Sequence, residues 1–450
     1  MDRRIANPFY EAGSRLLRTD KVFMRNMFLE QEYGEAWLKG FALMMKGIEK
    51  YGIRIPFTPA GPFLIVWDFT HLCNLRCKHC YQNAGTTLPE LSTEEAFEVV
   101  DKLSKIADVG LPALSFSGGE PLMRKDFFEV AAYASKKIPY ITVATNGTLL
   151  TKDNAKRLKD VGVEYAEISL DGVSRQVHEN FRRVPGCFEK TMDGMQNCID
   201  ENIDTCIATT AHKENLGEIE GIMDLADELS ARFICFNYVP TGRAKRFIEL
   251  DLSPEERLSV LEMVGKRMVD AYFKSKEEKD KCGRSDIGVD RFFSTCPQYS
   301  SVVKNLSRMK GETITVGSHY AATKAVENVA DFLGGCGAGR LYMAVEPNGD
   351  MKPCVFFPTS EDTMIGNILK DEFEDVWNHN GFLWRLRTRK KLESYEANDR
   401  VIGCGVCEDR YICGGCRARA YYYFRGNINA SDVGCIHNEE LWRKVTKSIV

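Results

Sequence analysis

Cys73, Cys77 and Cys80 lie in the run Asp68-Phe-Thr-His-Leu-Cys-Asn-Leu-Arg-Cys-Lys-His-Cys-Tyr81, a C-x3-C-x2-C spacing. Three thiolates can hold three irons of a four-iron cluster and leave the fourth open to a small molecule. A cluster that only carries electrons has no need of an open iron, so this spacing points to chemistry. Zinc is the competing reading. It wants a fourth nitrogen or sulfur ligand, and His71 and His79 are near in sequence. Three buried small hydrophobes are the bland alternative, which the regular spacing argues against.

Other polar groups recur downstream. Ser117-Gly-Gly-Glu-Pro121 offers paired glycines that let backbone approach a ligand, and Glu120 can accept from an ammonium group. Thr145-Asn-Gly-Thr148, Ser169-Leu-Asp-Gly172 and Arg182 add acceptors for hydroxyls and a cation for a carboxylate. Each alone reads as a turn. Farther on come Cys336, Cys354, Cys404, Cys407, Cys413, Cys416 and Cys435. Their C-x2-C pairs suit zinc, but ribbon-type zinc sites leave a longer hairpin between pairs than the stretch from Cys407 to Cys413. Cys187, Cys198, Cys206, Cys235 and Cys282 read as buried small hydrophobes.

These groups need a scaffold. The apolar run Phe63 to Phe69 just before the first triplet reads as a buried strand, and further strands are expected at 113–117, 140–145, 165–170, 204–210 and 233–239. Ser92 and Glu95 form a capping box opening a helix over Ala96 to Ile106, and Thr151 and Phe188 stand near later helix starts. Strands joined by crossover helices imply a parallel sheet. No G-x-G-x-x-G follows the first strand, which disfavours a dinucleotide fold. The expected class is α/β, a partial (β/α)6 TIM-like barrel. Each polar group then falls at a C-terminal strand end, where such barrels bind ligands.

The expected organisation is a helical extension over 1–60, the barrel over 61–245, a helical and loop-rich bridge over 246–330, and a cysteine-rich domain over 331–450. Phe23, Met27, Phe28, Trp37, Phe41, Met44 and Met45 give the extension its helical spacing. A helix is expected from Pro254 to Lys274. The last domain has little periodicity, so metal–ligand bonds are expected to fix its fold. The chain has 450 residues with 44% hydrophobic content, enough for two or three domains. A net charge of −4 gives no reason to expect nucleic acid as partner, and the basic run Arg385 to Lys391 reads as a solvated helix face. No signal peptide follows Met1 and no stretch suits a bilayer. Sixteen cysteines in so large a chain then point to a cytoplasmic protein whose thiols bind metal.

The triplet, the Gly118-Gly119-Glu120-Pro121 run and the Ser169-Leu-Asp171-Gly172 strand resemble the radical S-adenosylmethionine (SAM) superfamily. The resemblance implies that SAM chelates the open iron of a [4Fe-4S] cluster on Cys73, Cys77 and Cys80. It places Gly118, Gly119 and Glu120 at the methionine amino group, Ser169 and Arg182 at the carboxylate or ribose, Asn146 and Asp171 beside them, and His79 near the adenine. The C-terminal cysteines resemble the SPASM extension, which binds one or two auxiliary [4Fe-4S] clusters. That pattern assigns Cys404, Cys407, Cys413 and Cys435 to an outer cluster, and Cys336, Cys354 and Cys416 to an inner one. The usual three residues before the fourth cysteine of the run are two here, Gly414 and Gly415. No cysteine shortly before Cys336 supplies an eighth ligand. The inner cluster has an open iron, an oxygen ligand or a distant one such as Cys296, or it is absent.

The resemblance covers residues from about 61 to 450, loosely over 246–330. It implies reductive cleavage of SAM to a 5′-deoxyadenosyl radical that takes a hydrogen atom from a substrate, with electrons from a low-potential donor such as ferredoxin or flavodoxin. A side chain of a ribosomally made peptide or protein is the first substrate expectation, and tetrapyrrole side chains in haem-type biosynthesis are the alternative. Arg243, Arg417 and Arg419 are candidates to meet propionates or a peptide carboxylate, or else make ordinary surface pairs. A non-catalytic iron–sulfur electron carrier and a zinc-stabilised binding module are the readings from other classes.

Overall fold

The computed structural model describes residues 45–52, 58–86, 88–108, 113–282, 291–317, 320–322, 334–397 and 399–447. Most of the N-terminal extension, including Phe23 to Met44, lies outside the described residues, as does the side chain of Cys282.

Strand and helix alternate from β1 (Leu64–Thr70) through α1 (Thr93–Asp108), β2 (Ala113–Gly118), α2 (Phe127–Ser135), β3 (Tyr140–Thr145), α3 (Lys152–Asp160) and β4 (Val163–Ser169). Two helices follow, α4 (Arg175–Arg182) and α5 (Cys187–Asp200), then β5 (Asp204–Thr210), α6 (Ile219–Glu228) and β6 (Arg232–Phe236). The expected helix starts are present. Ser92 and Glu95 exchange backbone-to-side-chain bonds at α1, and Thr151 caps α3 through the Asn154 N–H. Arg182 is the last residue of a helix that the sequence reading did not separate from its neighbour.

The six expected strands are neighbours in sequence order and all parallel, and the sheet continues at both edges. The piece after β6 supplies α7 (Pro254–Cys282), longer than expected, then β7 (Phe292–Ser294) and α8 (Tyr299–Met309). β7 pairs parallel with β6, so this stretch builds the sheet as well as bridging it. At the opposite edge β8 (Tyr342–Val345) pairs parallel with β1. Beyond it lie β9 (Asp350–Lys352) and β10 (Gly366–Asn367), both antiparallel, completing a 10-stranded sheet. α9 (Phe373–His379), α10 (Gly381–Arg387), α11 (Arg417–Tyr423) and α12 (Glu439–Lys447) complete the C-terminal part. The end of the extension docks there: Lys50 pairs with Glu374, and Trp377 Nε1 donates to the Pro59 carbonyl at 3.0 Å.

The period of two along β1 separates two cores. Trp67 and Phe69 face the helices, in edge-to-face contact at 5.0 Å, and Phe69 meets Phe116 at 5.3 Å. Arg124 covers the Phe69 ring at 4.2 Å. Burying each ring contributes roughly 1.5–3 kcal/mol. On the other face Leu64 and Val66 pack against Tyr342, Ala344, Cys354 and Cys416. The first strand therefore anchors both the barrel and the cysteine-rich part. No helix among the described residues is long and apolar enough to cross a membrane.

Candidate active site and auxiliary cluster sites

The loop after β1 is held from several sides. Its Arg76 and Lys78 N–H groups donate to the carbonyls of Arg182 and Phe181 at 3.2 and 3.0 Å, so it lies along the end of α4. Arg243 reaches in from the segment after β6, giving Nη1 to the Cys77 carbonyl at 3.0 Å and Nη2 to the Ala84 carbonyl at 2.5 Å. The loop thus presents Cys73, Cys77 and Cys80 around Leu75, beside Cys187. Few donors reach the sulfurs: Leu75 N–H to Cys73 Sγ at 3.4 Å and Ala84 N–H to Cys80 Sγ at 3.2 Å. Burial pushes the Cys73 thiol up to about 12 and raises that of Cys80. Such thiols ionise at neutral pH only when a metal cation replaces the proton.

β2 ends directly against this loop. Gly119 and Glu120 donate their N–H groups to the Thr70 and Leu72 carbonyls, both at 2.7 Å. A Cβ on Gly119 would collide with the Leu72 carbonyl oxygen, and Gly118 sits at φ 111°, so both glycines are required. Glu120 is buried beside Cys73. Its Oε1 accepts from Thr145 Oγ1 at 2.7 Å and its Oε2 from the Asn146 N–H at 2.8 Å. Burial lifts its carboxyl to about 7, against these donors. Asn146 is spent on structure, bonding Asn74 and Thr148. Ser169 closes β4, half-buried.

Asp171 is buried and paired with Arg182 Nη2 at 2.6 Å, and its Oδ1 accepts from the Thr210 N–H at 2.9 Å. Burial still raises the Asp171 carboxyl, and Arg182 opposes the rise. Arg182 Nη1 reaches Cys77 Sγ at 3.6 Å, so the arginine touches the cysteine loop and Asp171 orients it. His79 stacks on Phe181 at 4.6 Å, and Phe181 on His212 at 3.6 Å. Burial holds the His79 imidazole well below its usual range, so it is neutral. The structure brings together the triplet, Glu120, Arg182 and His79. Asn146 and Asp171 stand behind them.

A buried polar network was not foreseen. Tyr81 donates to Asp68 Oδ1 at 2.9 Å, Gln82 bonds Asp68 and Glu346, and Lys352 pairs with Glu346. It ties the cysteine loop to β1, β8 and β9. Burial, then Glu346, lifts the Asp68 carboxyl to about 7. A charge inside the otherwise apolar run Phe63 to Phe69 was the available signal.

The C-terminal cysteines fall into two groups. Cys404, Cys407, Cys413 and Cys435 lie within electrostatic reach of one another. Cys336, Cys354 and Cys416 form the second group, around Tyr342, whose hydroxyl donates to Cys354 Sγ at 2.5 Å. Cys296 neighbours Cys235 and Cys413 and is not placed with this second group. Asp432 is the hub between the groups. It takes the Cys416 N–H at 2.7 Å and both Nε and Nη2 of Arg419, at 2.7 and 2.8 Å, while its own N–H meets Cys404 Sγ at 3.4 Å. Gly414 and Gly415 both have positive φ, 68° and 64°, and so turn the short Cys413–Cys416 link.

Several arginines differ from expectation. Arg417 and Arg419 are buried: Arg417 binds the Ile428 and Ala430 carbonyls, and Arg419 binds Asp432. With Arg243 tied to the cysteine loop, all three are held within the protein, because their hydrogen bonds are taken by carbonyls, a carboxylate and, for Arg417, the Cys404 sulfur at 3.9 Å. The run Arg385 to Lys391 is a solvated face only in part: Arg385, Lys390 and Lys391 are exposed. Its Arg387 and Arg389 are buried, and Arg387 gives Nε to the Gly339 carbonyl at 2.7 Å. Lys245 and Arg425 are exposed cations. They line an open cleft of about 200 Å³ with Phe356, Tyr421 and Tyr422. Phe356, one of its lining residues, also meets Tyr81 of the first cysteine loop edge-on at 5.7 Å.

The donor sets fit iron–sulfur clusters. Buried and half-buried cysteines fall into three groups, and a glycine cradle and a carboxylate adjoin the first. Comparison with known proteins agrees. The sequence model of the Radical SAM superfamily matches residues 67–226, and that of SPASM, an iron–sulfur cluster-binding domain, matches residues 336–417. The chain is 33% identical over 367 residues to an AdoMet-dependent heme synthase of Methanosarcina barkeri, covering 80% of this chain and 93% of that protein. It is 26% identical over 367 residues to the mycofactocin maturase MftC of Mycobacterium ulcerans, covering 80% and 85%. The fold matches Streptococcus suis SuiB bound to precursor peptide SuiA with TM-score 0.60 at 16% identity, covering 96% of this chain and 88% of that one.

Proposed function

Since the chain belongs to the radical SAM superfamily and carries a SPASM domain, we propose that this enzyme modifies carboxylate-bearing side chains of a tetrapyrrole. The cleft carries this reading. Phe356, Tyr421 and Tyr422 offer aromatic surface to a flat macrocycle, and Lys245 and Arg425 offer cations to its carboxylates. The similarity to a heme synthase supports the same order of preference, which reverses the one taken from sequence alone.

When bound, the first cluster and SAM supply the reductive carbon–sulfur cleavage that allows hydrogen-atom abstraction. The chain's residues do the positioning. Cys73, Cys77 and Cys80 hold the cluster. Glu120, ionised, would accept from the SAM ammonium over the Gly118-Gly119 cradle. Arg182, braced by Asp171, would meet the carboxylate, Ser169 the ribose and His79 the adenine. Cys404, Cys407, Cys413 and Cys435 hold the outer auxiliary cluster, and Cys336, Cys354 and Cys416 the inner one. The reading places the chain in a reducing cytoplasm with a ferredoxin- or flavodoxin-like donor, supported by its described cysteines all being unpaired.

The test is anaerobic turnover with SAM, dithionite and iron coproporphyrin III, read by mass spectrometry. A mass change in the porphyrin that requires SAM is expected. An unaltered porphyrin, with 5′-deoxyadenosine still released, removes the reading. The maturase relative favours a peptide as second substrate class, and modification of a short peptide in the same assay would establish it.

A further inference from the structure

Arg389 is 1% exposed, and no salt bridge joins it to a carboxylate among the described residues. Its Nη2 donates to the Cys336 carbonyl at 3.0 Å. Its Nε and Nη1 are buried and have no hydrogen-bond partner among the described residues. The guanidinium lies against two cysteine-bearing turns. A Cβ on Gly414, next to Cys413, would stand 2.8 Å from Nη1 and 2.9 Å from Nε, and one on Gly335, next to Cys336, would stand 3.0 Å from Nη2. The acidic groups acting on its charge are the thiols of Cys336, Cys413 and Cys404. One of these belongs to the inner set and two to the outer.

A buried cation without an anion is costly, and an unpaired buried N–H costs about 1–3 kcal/mol. Asp432 answers buried Arg419 and Asp251 answers buried Arg257, while Arg417 beside Arg389 satisfies its N–H groups on the Ile428 and Ala430 carbonyls. Nothing of that kind answers Arg389, but thiolate-ligated clusters on either side of it would be anions. The geometry points to Arg389 as the shared counter-ion of the two auxiliary clusters, a positioning residue whose Nε–H and Nη1–H donate to cluster sulfur and hold both potentials up. Hydrogen bonds to sulfur and local net charge are the means by which a protein sets such potentials. The paired glycines of the shortened Cys413–Cys416 link follow from this: a side chain at Gly414 would displace the guanidinium.

The inference rests on the auxiliary ligand assignment above and not on the choice of substrate. The test starts from protein with Cys73, Cys77 and Cys80 replaced by alanine, so that only auxiliary clusters contribute to an EPR-monitored redox titration. In that background Arg389→Gln is expected to lower both midpoint potentials. Each reduction equilibrium should fall about tenfold, which is about 59 mV for one electron. Arg389→Lys keeps the charge but loses the planar donors, and should lower both by less. Unmoved potentials, or movement of one alone at full iron content, would overturn the inference. If Arg389→Gln loads no auxiliary iron, Arg389→Lys decides alone: a fall in both potentials supports the role, and no fall overturns it. Loss of iron from Arg389→Lys as well would assign the residue to packing and overturn it too. Iron counts of Cys336→Ala and Cys404→Ala separate a failure of the ligand assignment from a failure of Arg389.

Discussion

The two cysteine-bearing regions treat charge in opposite ways. Around Cys73, Cys77 and Cys80 each sulfur receives one donor, and the cations in reach are Arg182, already paired with Asp171, and Arg243, which is tied to loop carbonyls. Around the C-terminal cysteines three buried arginines converge, Arg389, Arg417 and Arg419, with Asp432 between the groups. Positive charge and donated hydrogen bonds favour the reduced, more negative form of a cluster. The barrel site is therefore suited to a strongly reducing cluster and the C-terminal region to clusters that accept electrons more readily.

That contrast can be broken at either end. Replacing Cys73, Cys77 and Cys80 together by alanine should abolish 5′-deoxyadenosine release from SAM while auxiliary iron stays bound, with chromatography and iron analysis as the two readouts. Loss of all iron would mean that the regions are not independent. Next in size is Asp432→Asn. It strands Arg419, whose pair is fully buried on both sides, at about 3–5 kcal/mol. Anaerobic denaturant unfolding and auxiliary iron content should both fall, with the barrel cluster spared.

A smaller effect comes from pH. Burial raises the Glu120 carboxyl from 4.5 to about 7, and the proposed contact with the SAM ammonium needs it ionised. SAM affinity should therefore be full above about pH 7 and fall with each unit below it, approaching tenfold per unit. The sign for stability is the reverse. Glu120 is the stronger acid when unfolded, so its contribution to stability is present below 4.5 and declines as pH rises toward 7. A binding curve flat from pH 8 to pH 5.5 would remove Glu120 from the ammonium. The smallest effect is expected from Lys245→Ala with Arg425→Ala. These exposed cations are worth about 0.2–1 kcal/mol each, so KM for a carboxylated tetrapyrrole should rise several-fold with kcat nearly unchanged. An unchanged KM would move the substrate out of the cleft.

Local chemistry was legible in the sequence and long-range pairing was not. The capping box at Ser92 and Glu95, the Thr151 cap and the cysteine spacings depend on residues a few positions apart, and they stand where the sequence puts them. β7 is three residues long, too short for a period of two to register, and its place beside β6 depends on the helix between them. The roles of Arg243, Arg417 and Arg419 were misjudged because a guanidinium's partner is set by segments remote in sequence. Asp68 was visible as a charge in an apolar run, but Glu346 and Lys352, which explain it, come from the end of β8 and from β9, remote in sequence.

The pairing of β8 with β1 also bears on how the molecule is made. Leu64 to Trp67 emerge early in synthesis, and their partners Tyr342 to Val345 arrive only after the whole barrel has been translated. Until then one edge of β1 is an unpaired template, of the kind that recruits other chains. Such distant contacts slow folding and expose intermediates to aggregation. A chain truncated before β8 should accordingly collect as insoluble material, even though it retains every residue of the first cysteine loop.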